Sequence, residues 1–358
     1  MPVEPMTVVP MTVEPSTPPP VTESPITAIS FGSSGVLMVG QMGIYCRLYE
    51  AGLTTNLKEF YGCSGGAVCA FLCALGVTPA WIRTWAQHFD TRPLMNIQED
   101  LVADYLTTWG VDSGMQAKEY LSKFVDTWEP GASKWTFADL AAQRPGLQLT
   151  ITATNVTKEC QGVFSVATHP SMLIADAIHA SSSIPFYACP WMDPSGQLYC
   201  DGAIFESYPY RCVQNPATTL FVACERTAPT PGVSSLGDYI NKIMRITRFR
   251  NRTENTPDHI LILKPCGIML LNFMITKEER LGLFASGLAD ADEWITRTFP
   301  GGTGGNPPLS GGRRTLSAAH PSPGRSSDSH RSDSLLPPPA PSPGSPPSGR
   351  RRCRRWSY

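Results

Sequence analysis

Between two proline-rich ends, the chain alternates short apolar segments with helical patterns, and this alternation constrains its fold more than any other feature. Residues 26–31 and 60–61 are predicted to be strands, and the helices that follow are predicted to reach about Ala51 and to run from about Gly65 to Leu75. The remaining predicted strands are 147–154, 220–224 and 260–263, and the remaining predicted helices start after Thr78, cover 172–180, and run from Thr276 to about Trp294. This order favours an α/β fold with a mostly parallel sheet covered on both faces.

The 34 prolines crowd at the two ends of the chain and divide it into three parts. Residues 1–25 are predicted to be a disordered Pro/Thr-rich tail, and residues 300–358 a disordered Pro/Ser/Arg-rich basic tail, because repeated prolines remove backbone donors. Residues 26–299 are predicted to form one domain. Residues 301–358 hold nine arginines and two aspartates, a formal charge of +7, which leaves −8 on residues 1–300. We therefore expect the tail to contact anionic surfaces, and we expect no nucleic acid partner.

Cysteine usage and the start of the chain predict a cytoplasmic protein. The first residues, with Pro2, Glu4 and Pro5, form neither a basic nor an apolar signal-peptide region. The eleven cysteines are therefore interpreted as small buried hydrophobic residues and not as a disulfide framework. No cysteine or histidine lies at zinc-ligand spacing, so the sequence predicts neither a metal nor an organic cofactor.

A candidate nucleophile lies in the pentapeptide Gly62-Cys63-Ser64-Gly65-Gly66, a G-x-S-x-G motif between a predicted strand and a predicted helix. A tight strand-to-helix turn strains the serine and exposes its hydroxyl, while the glycines allow close backbone approach. The helix that follows directs its N-terminal dipole towards a developing oxyanion. The motif in this context predicts that Ser64 is a nucleophile.

Two kinds of base are available to activate Ser64. His259 follows the serine in the order expected of a Ser–His–Asp triad, although no acid member is obvious. The competing base is Asp201, which stands where a predicted strand enters a glycine turn. The other histidines of the predicted domain are His88, His169 and His179.

Five stretches of the chain occur in a recognisable order: Gly32–Gly35, Gly62–Gly66, Ala180–Pro185, Asp201–Ala203 and Gly267–Arg280. Together they make residues 26–297 resemble the patatin-like phospholipase family. The resemblance implies a three-layer α/β/α fold and a dyad in which Ser64 is the nucleophile and Asp201 the base. It also implies an oxyanion hole and surrounding motif residues, which on this sequence are Ser33, Ser34 and Gly35 for the hole and Gly62, Cys63, Gly65, Gly66, Gly202 and Ala203 for the motifs.

The implied activity is hydrolysis of lipid acyl esters, by a phospholipase A or a neutral lipid esterase, with peripheral association to a membrane or lipid-droplet surface. The first loop departs from the family's G-G-G-x-R-G pattern. Ser33 and Ser34 replace glycines, Leu37 replaces the arginine, and Met38 replaces the last glycine. Two further hypotheses stay open: a catalytically weakened lipid-binding scaffold, and a Ser–His–Asp esterase that uses His259.

Overall fold

The computed structural model of the protein describes residues 24–225, 232–233, 239–240, 242–243, 245–246 and 259–299. The predicted tails therefore lie outside the described residues, except for Ser24 and Pro25. Ser24 is already buried, and its hydroxyl donates to the carbonyl of Leu53 at 2.9 Å. In this part of the chain no helix combines the length and apolar character needed to cross a membrane.

A single mixed sheet organises the described residues. Its strands are β1 (Ala28–Phe31), β2 (Glu59–Cys63), β3 (Gln148–Asn155), β4 (Cys160–Ser165), β5 (Trp191–Met192), β6 (Leu198–Cys200), β7 (Thr219–Cys224) and β8 (Ile260–Leu263). Strands β3, β2, β1, β7 and β8 are adjacent in that order and parallel. Strands β4 and β6 pair antiparallel with β3, and β5 pairs antiparallel with β6. The predicted parallel centre is confirmed, whereas the antiparallel strands β4 and β5 were not predicted.

Helices flank the sheet and connect its strands, which confirms the α/β class. They are α1 (Met38–Glu50), α2 (Gly65–Ala74), α3 (Pro79–His88), α4 (Glu99–Ala103), α5 (Tyr105–Thr108), α6 (Met115–Trp128), α7 (Phe137–Gln143), α8 (Ile174–Ser182) and α9 (Lys277–Thr298). The predicted N-cap of α3 is present, because the Thr78 hydroxyl accepts from the Trp81 N–H. The predicted capping box of Thr276 and Glu279 likewise begins α9. Helices α4 to α7 form a long insertion between α3 and β3 that was not predicted.

The two faces of the sheet differ in size and cover. Strand register aligns Ile29, Phe60 and Leu149 on one face, where they join the main hydrophobic core with the helices. Tyr61 and Phe221 lie on the other face, in a smaller cluster whose described cover comes from Tyr208, Tyr210, Cys212 and Val213. The central strands are therefore buried on both sides, as their apolar sequences require.

Candidate active site

The carboxyl ends of two strands converge on one side of β3. Strand β2 runs parallel to β3, and its last residue, Cys63, pairs with Thr152. Strand β6 runs antiparallel to β3, and its last residue, Cys200, pairs with Thr154. Strand β4 occupies the opposite side of this part of β3, so β2 and β6 lie head to head on the same side. The next residue of each strand, Ser64 or Asp201, is therefore carried to the same point.

At this point the Ser64 hydroxyl donates to Asp201 Oδ2 at 2.7 Å. Both side chains are buried, with 5% of Ser64 and 1% of Asp201 exposed. The other carboxylate oxygen, Oδ1, accepts from the Ala203 N–H at 2.8 Å. The Asp201 backbone is fixed as well, because its N–H donates to Ser183 and its carbonyl accepts from the Thr154 hydroxyl. The carboxylate thus has one oxygen held by the D-G-A turn and the other directed at the serine.

The turn that presents Ser64 is strained and tightly packed. Ser64 has φ 55° and ψ −127°, a conformation that L-residues rarely adopt and that costs about 1–3 kcal/mol. Its N–H donates to the Ser181 hydroxyl at 2.7 Å, and that hydroxyl in turn donates to the Thr152 carbonyl at 2.6 Å. Ser181 belongs to the predicted Ala180–Pro185 stretch, but its contact with the nucleophile turn was not predicted. These bonds hold the serine in its unusual conformation.

Gly65, the first residue of α2, touches the glycine-rich loop directly. A Cβ atom at Gly65 would lie 2.7 Å from the carbonyl oxygen of Gly35 and 2.9 Å from its nitrogen. Such distances are shorter than any real Cβ contact, so this position requires glycine. The close approach brings Gly35 next to Gly65, and both residues line the same cavity as Ser64.

The three residues predicted to form the oxyanion hole differ in their hydrogen bonding and in whether they line the cavity. The Ser33 N–H donates to the Ser207 carbonyl at 2.6 Å and is therefore already engaged. Ser34 is completely buried, and it does not line the cavity. Gly35 does line the cavity, and within the described residues its N–H and that of Gly65 donate no hydrogen bond. Gly65 was predicted only as a motif residue, and it lines the cavity as Gly35 does.

Ser34, one of the two serines at glycine positions of the G-G-G-x-R-G pattern, belongs to a buried hydrogen-bond network. The Ser34 hydroxyl donates to Gln41 Oε1 at 2.9 Å, and Gln41 Nε2 donates to the Gly32 carbonyl at 2.9 Å. Both Ser34 and Gln41 are fully buried. The loop is also attached at its far end, where the Val36 N–H donates to the Leu270 carbonyl at 3.0 Å. The network keeps the loop folded without the two missing glycines.

Glu206 supports the same loop from the segment after the D-G-A turn. Its buried carboxylate accepts from the N–H groups of Tyr210 and Arg211 and from the Gln161 side chain. The neighbouring carbonyl, that of Ser207, is the acceptor of the Ser33 N–H. Burial raises the pKa of the Glu206 carboxyl above its ordinary value, although its hydrogen bonds and Arg211 lower it. No sequence motif predicted this residue.

Ser64 lies in the wall of an apolar cavity of about 110 Å³, and the segment from α4 to α7 forms about a third of that wall. The large apolar lining residues are Met38, Val68, Phe71, Leu94, Leu121, Val125, Ile178, Ile184, Tyr187 and Phe273. The polar members of the wall include Asp112, Lys118 and His179.

Neither of the two most relevant histidines bonds to the Ser64 hydroxyl. Strand register across β8, β7, β1 and β2 places His259 level with Phe60, four residues before Ser64 and three strands to the side. At about 3.3 Å per residue and about 4.8 Å between strands, the separation is on the order of 20 Å. His179 lines the cavity, but its Nε2 is buried without a hydrogen-bond partner. Burial, and then the charge of Lys118, lower the pKa of His179, which favours the neutral imidazole.

Within the described residues, no group of three histidine, cysteine, aspartate or glutamate side chains is arranged to hold a metal ion. Most of the described cysteines are buried, and the exposed ones are Cys160 and Cys266.

Comparison with known proteins identifies the family. The patatin-like phospholipase model matches residues 29–212. A probable lipid hydrolase, 463L of Invertebrate iridescent virus 6, is 26% identical over 178 residues, which are 49% of this chain and 60% of the viral protein. This chain therefore spans less than two thirds of that relative's length.

Of two similar solved structures, one shares the fold with this chain at low sequence identity. VipD from Legionella pneumophila has a TM-score of 0.52 and 15% identity, over 75% of this chain and 66% of VipD. The type III effector ExoU has a TM-score of 0.44 and 18% identity, over 78% of this chain and 53% of ExoU. The family match covers more than half of the chain, from β1 to beyond the D-G-A turn. The chain therefore belongs to the patatin-like phospholipase family.

Proposed function

We propose that residues 26–299 form a hydrolase domain that cleaves acyl esters of lipids, with Ser64 as nucleophile and Asp201 as its base. One observation carries the proposal: the 2.7 Å hydrogen bond from the Ser64 hydroxyl to Asp201 Oδ2, at the end of an apolar cavity. The family membership and the viral lipid hydrolase relative support the same class of substrate. The apolar wall fits an acyl chain, which has no polar group to pair.

In the first half of the reaction, Ser64 Oγ attacks the ester carbonyl carbon while its proton passes to Asp201 Oδ2. The carbonyl oxygen becomes an oxyanion, and the N–H groups of Gly35 and Gly65 donate to it. When the intermediate collapses, the bond to the alcohol breaks, and Asp201 returns the proton to the departing alkoxide. The acyl group remains on Ser64 as an ester.

In the second half, water takes the place of the alcohol. Asp201 accepts a proton from the water as its oxygen attacks the acyl-enzyme carbonyl, and the same two N–H groups stabilise the new oxyanion. The bond to Ser64 Oγ then breaks, Ser64 regains a proton from Asp201, and the fatty acid leaves. A carboxylate with an unperturbed pKa near 3.9 is a weak base for an alcohol. The positioned donors of Gly35 and Gly65 therefore supply much of the rate acceleration.

The competing hypotheses differ from this proposal at identifiable residues. A Ser–His–Asp esterase requires His259 beside the serine, and the strand register separates the two residues by roughly 20 Å. A lipid-binding scaffold requires a disabled site, whereas the hydroxyl–carboxylate bond is formed and two backbone donors line the cavity.

Fluorophosphonate labelling tests the proposal, because the probe reacts only with an activated serine. We expect the full chain to be labelled and Ser64→Ala to lose labelling completely. We expect Asp201→Asn to lower both labelling and turnover of p-nitrophenyl butyrate by about 100-fold to 10,000-fold, the usual contribution of a general base. His259→Ala should retain wild-type turnover.

Two matched substitutions control for the loss of a hydroxyl or a carboxylate elsewhere. Ser286→Ala and Asp292→Asn lie on α9, away from the cavity, and should label at the wild-type rate. Labelling that persists in Ser64→Ala would assign the nucleophile to another residue. A folded wild type that never labels would favour the scaffold hypothesis.

A further inference from the structure

We propose that an apolar rim beside the cavity docks the protein on an electrically neutral lipid surface, so that substrate enters from the lipid. The inference rests on the proposed function and extends it to the kind of surface on which the site works. The rim is the set of exposed apolar side chains from the insertion and the segment after α8, namely Ile97, Val102, Leu106, Trp109, Met115 and Phe186.

Backbone hydrogen bonds join the two segments of the rim to each other. The Val111 N–H donates to the Tyr187 carbonyl at 2.7 Å, and the Cys189 N–H donates to the Asp112 carbonyl at 2.8 Å. The Tyr105 hydroxyl donates to the Phe186 carbonyl at 3.2 Å. The rim is therefore one connected surface and not a scatter of separate residues.

The rim is continuous with the wall of the cavity. Phe186 is the chain neighbour of Tyr187, and Met115 is the chain neighbour of Gly114, and both of these neighbours line the cavity. A lipid surface in contact with the rim would therefore lie next to the cavity that holds Ser64. This continuity favours a lipid surface as the occupant, because the same acyl chains that the rim contacts are the ones the cavity fits.

The large apolar side chains of the rim are strongly exposed. Leu106 is 87% exposed, Phe186 57% and Trp109 54%. Val102 lies in α4, Leu106 lies in α5, and Trp109 directly follows α5. Exposed apolar side chains gathered in this way are typical of surfaces that bind a partner or a lipid interface.

The charge of the rim selects between kinds of lipid surface. Residues 97–115 contain no lysine or arginine, and Glu99, Asp100 and Asp104 are exposed among the apolar side chains. Anionic headgroups would repel these carboxylates, so the rim fits a zwitterionic or uncharged surface. This expectation is opposite to that for the basic tail, and the two contributions are separable by salt.

Flotation of the full chain with phosphatidylcholine vesicles tests the rim. We expect equal binding in about 0.1 M and about 0.5 M NaCl, because contacts between apolar groups are not screened by salt. The double variant Leu106→Ser/Trp109→Ala should bind about tenfold or more weakly, since two large apolar side chains no longer leave water. Val166→Ser is the matched control, because Val166 is exposed but belongs to neither segment of the rim.

Fluorescence quenching by brominated phosphatidylcholine tests insertion directly. Trp109 is the one tryptophan among the described residues that is exposed. We expect quenching in the wild type and much less in Trp109→Phe, which keeps an aromatic ring. If Trp109 did not enter the lipid, brominated phosphatidylcholine would quench the tryptophan fluorescence of the wild type and of Trp109→Phe to the same extent.

Several outcomes would overturn the proposal. They are a wild type that does not bind phosphatidylcholine, binding that disappears at the higher salt concentration, or a double variant that binds as well as the wild type. A chain that fails to bind vesicles but forms dimers that the double variant breaks would assign the rim to a second copy.

Hydrolysis of p-nitrophenyl butyrate and fluorophosphonate labelling are measured without vesicles, and the double variant should keep both. A wild type that is labelled but does not bind vesicles would therefore contradict only the docking proposal. A wild type that binds vesicles but is not labelled would contradict only the proposed hydrolase function.

Discussion

The turn that carries the proposed nucleophile, Gly62–Gly66, and the glycine-rich loop, Gly32–Met38, lie against each other but differ in what holds them in place. The turn keeps its glycines, and at Gly65 a Cβ atom would collide with the backbone of Gly35. The loop has serines at two family glycine positions, and one of them, Ser34, forms a buried hydrogen bond to Gln41. At Gly65 the turn is thus fixed by backbone contact, whereas the loop is held by side-chain hydrogen bonds as well as by backbone ones.

This difference shows which changes the fold tolerates near the reacting groups. A position whose own backbone touches another backbone has no space for a side chain, so nothing can replace glycine there. A position whose side chain points into a polar cluster accepts serine if the hydroxyl finds a partner. In the proposed mechanism the loop contributes through its backbone N–H groups and not through its side chains.

Gly65→Ala is expected to have the largest effect, because its Cβ would displace Gly35 and separate the two proposed oxyanion donors. We expect fluorophosphonate labelling to slow by about 100-fold or more, the cost of losing an oxyanion donor, and the unfolding temperature to fall. Gly282→Ala is the matched control, because nothing lies within 4 Å of a Cβ at Gly282 in α9. The control should be neutral or slightly stabilising, since alanine favours a helix by about 1 kcal/mol over glycine. Wild-type labelling of Gly65→Ala would show that the turn, like the loop, adapts.

Ser34→Ala should have an intermediate effect, because it leaves the buried Gln41 amide oxygen without its serine donor. We expect the free energy of unfolding, measured by urea denaturation, to fall by about 1–3 kcal/mol. A double-mutant cycle with Gln41→Leu should give a coupling energy of about 0.5–3 kcal/mol. Strictly additive single variants would contradict the view that side-chain hydrogen bonds fix the loop.

Glu206→Gln should have the smallest effect and should depend on pH. Burial raises the pKa of the Glu206 carboxyl, so the folded protein favours its protonated form. This contribution to stability is fully present below the ordinary pKa of the carboxyl and is lost as pH rises through the raised value. The wild type should therefore gain stability relative to Glu206→Gln in acid and lose that gain towards neutral pH. Urea denaturation of both proteins across this range measures the difference, and a difference that grows with pH would contradict the assignment.

Much of the fold followed from local sequence signals. The apolar runs of β1, β7 and β8 are short and bounded by turn residues, and the caps at Thr78 and Thr276 mark helix starts by their own side chains. The segment from α4 to α7 was not predicted, and three of its helices have only four to seven residues. Helix α6 is longer and amphipathic, and it was also not predicted. Most of the rim and one part of the cavity wall come from this segment, and the sequence motifs gave no signal for either.

The sequence by itself determined the residue types of the site and the turn that strains Ser64, because a G-x-S-G-G run between a strand and a helix permits few conformations. Only the tertiary structure decided which residues meet. Ser64 and Asp201 are 137 positions apart, and they touch because β2 and β6 fill one side of β3 from opposite directions. Strand pairing, which joins distant parts of the chain through backbone hydrogen bonds, also separates His259 from the serine. The engagement of Ser33 by Ser207 has the same origin, since no local pattern encodes a contact between loops so far apart in the chain.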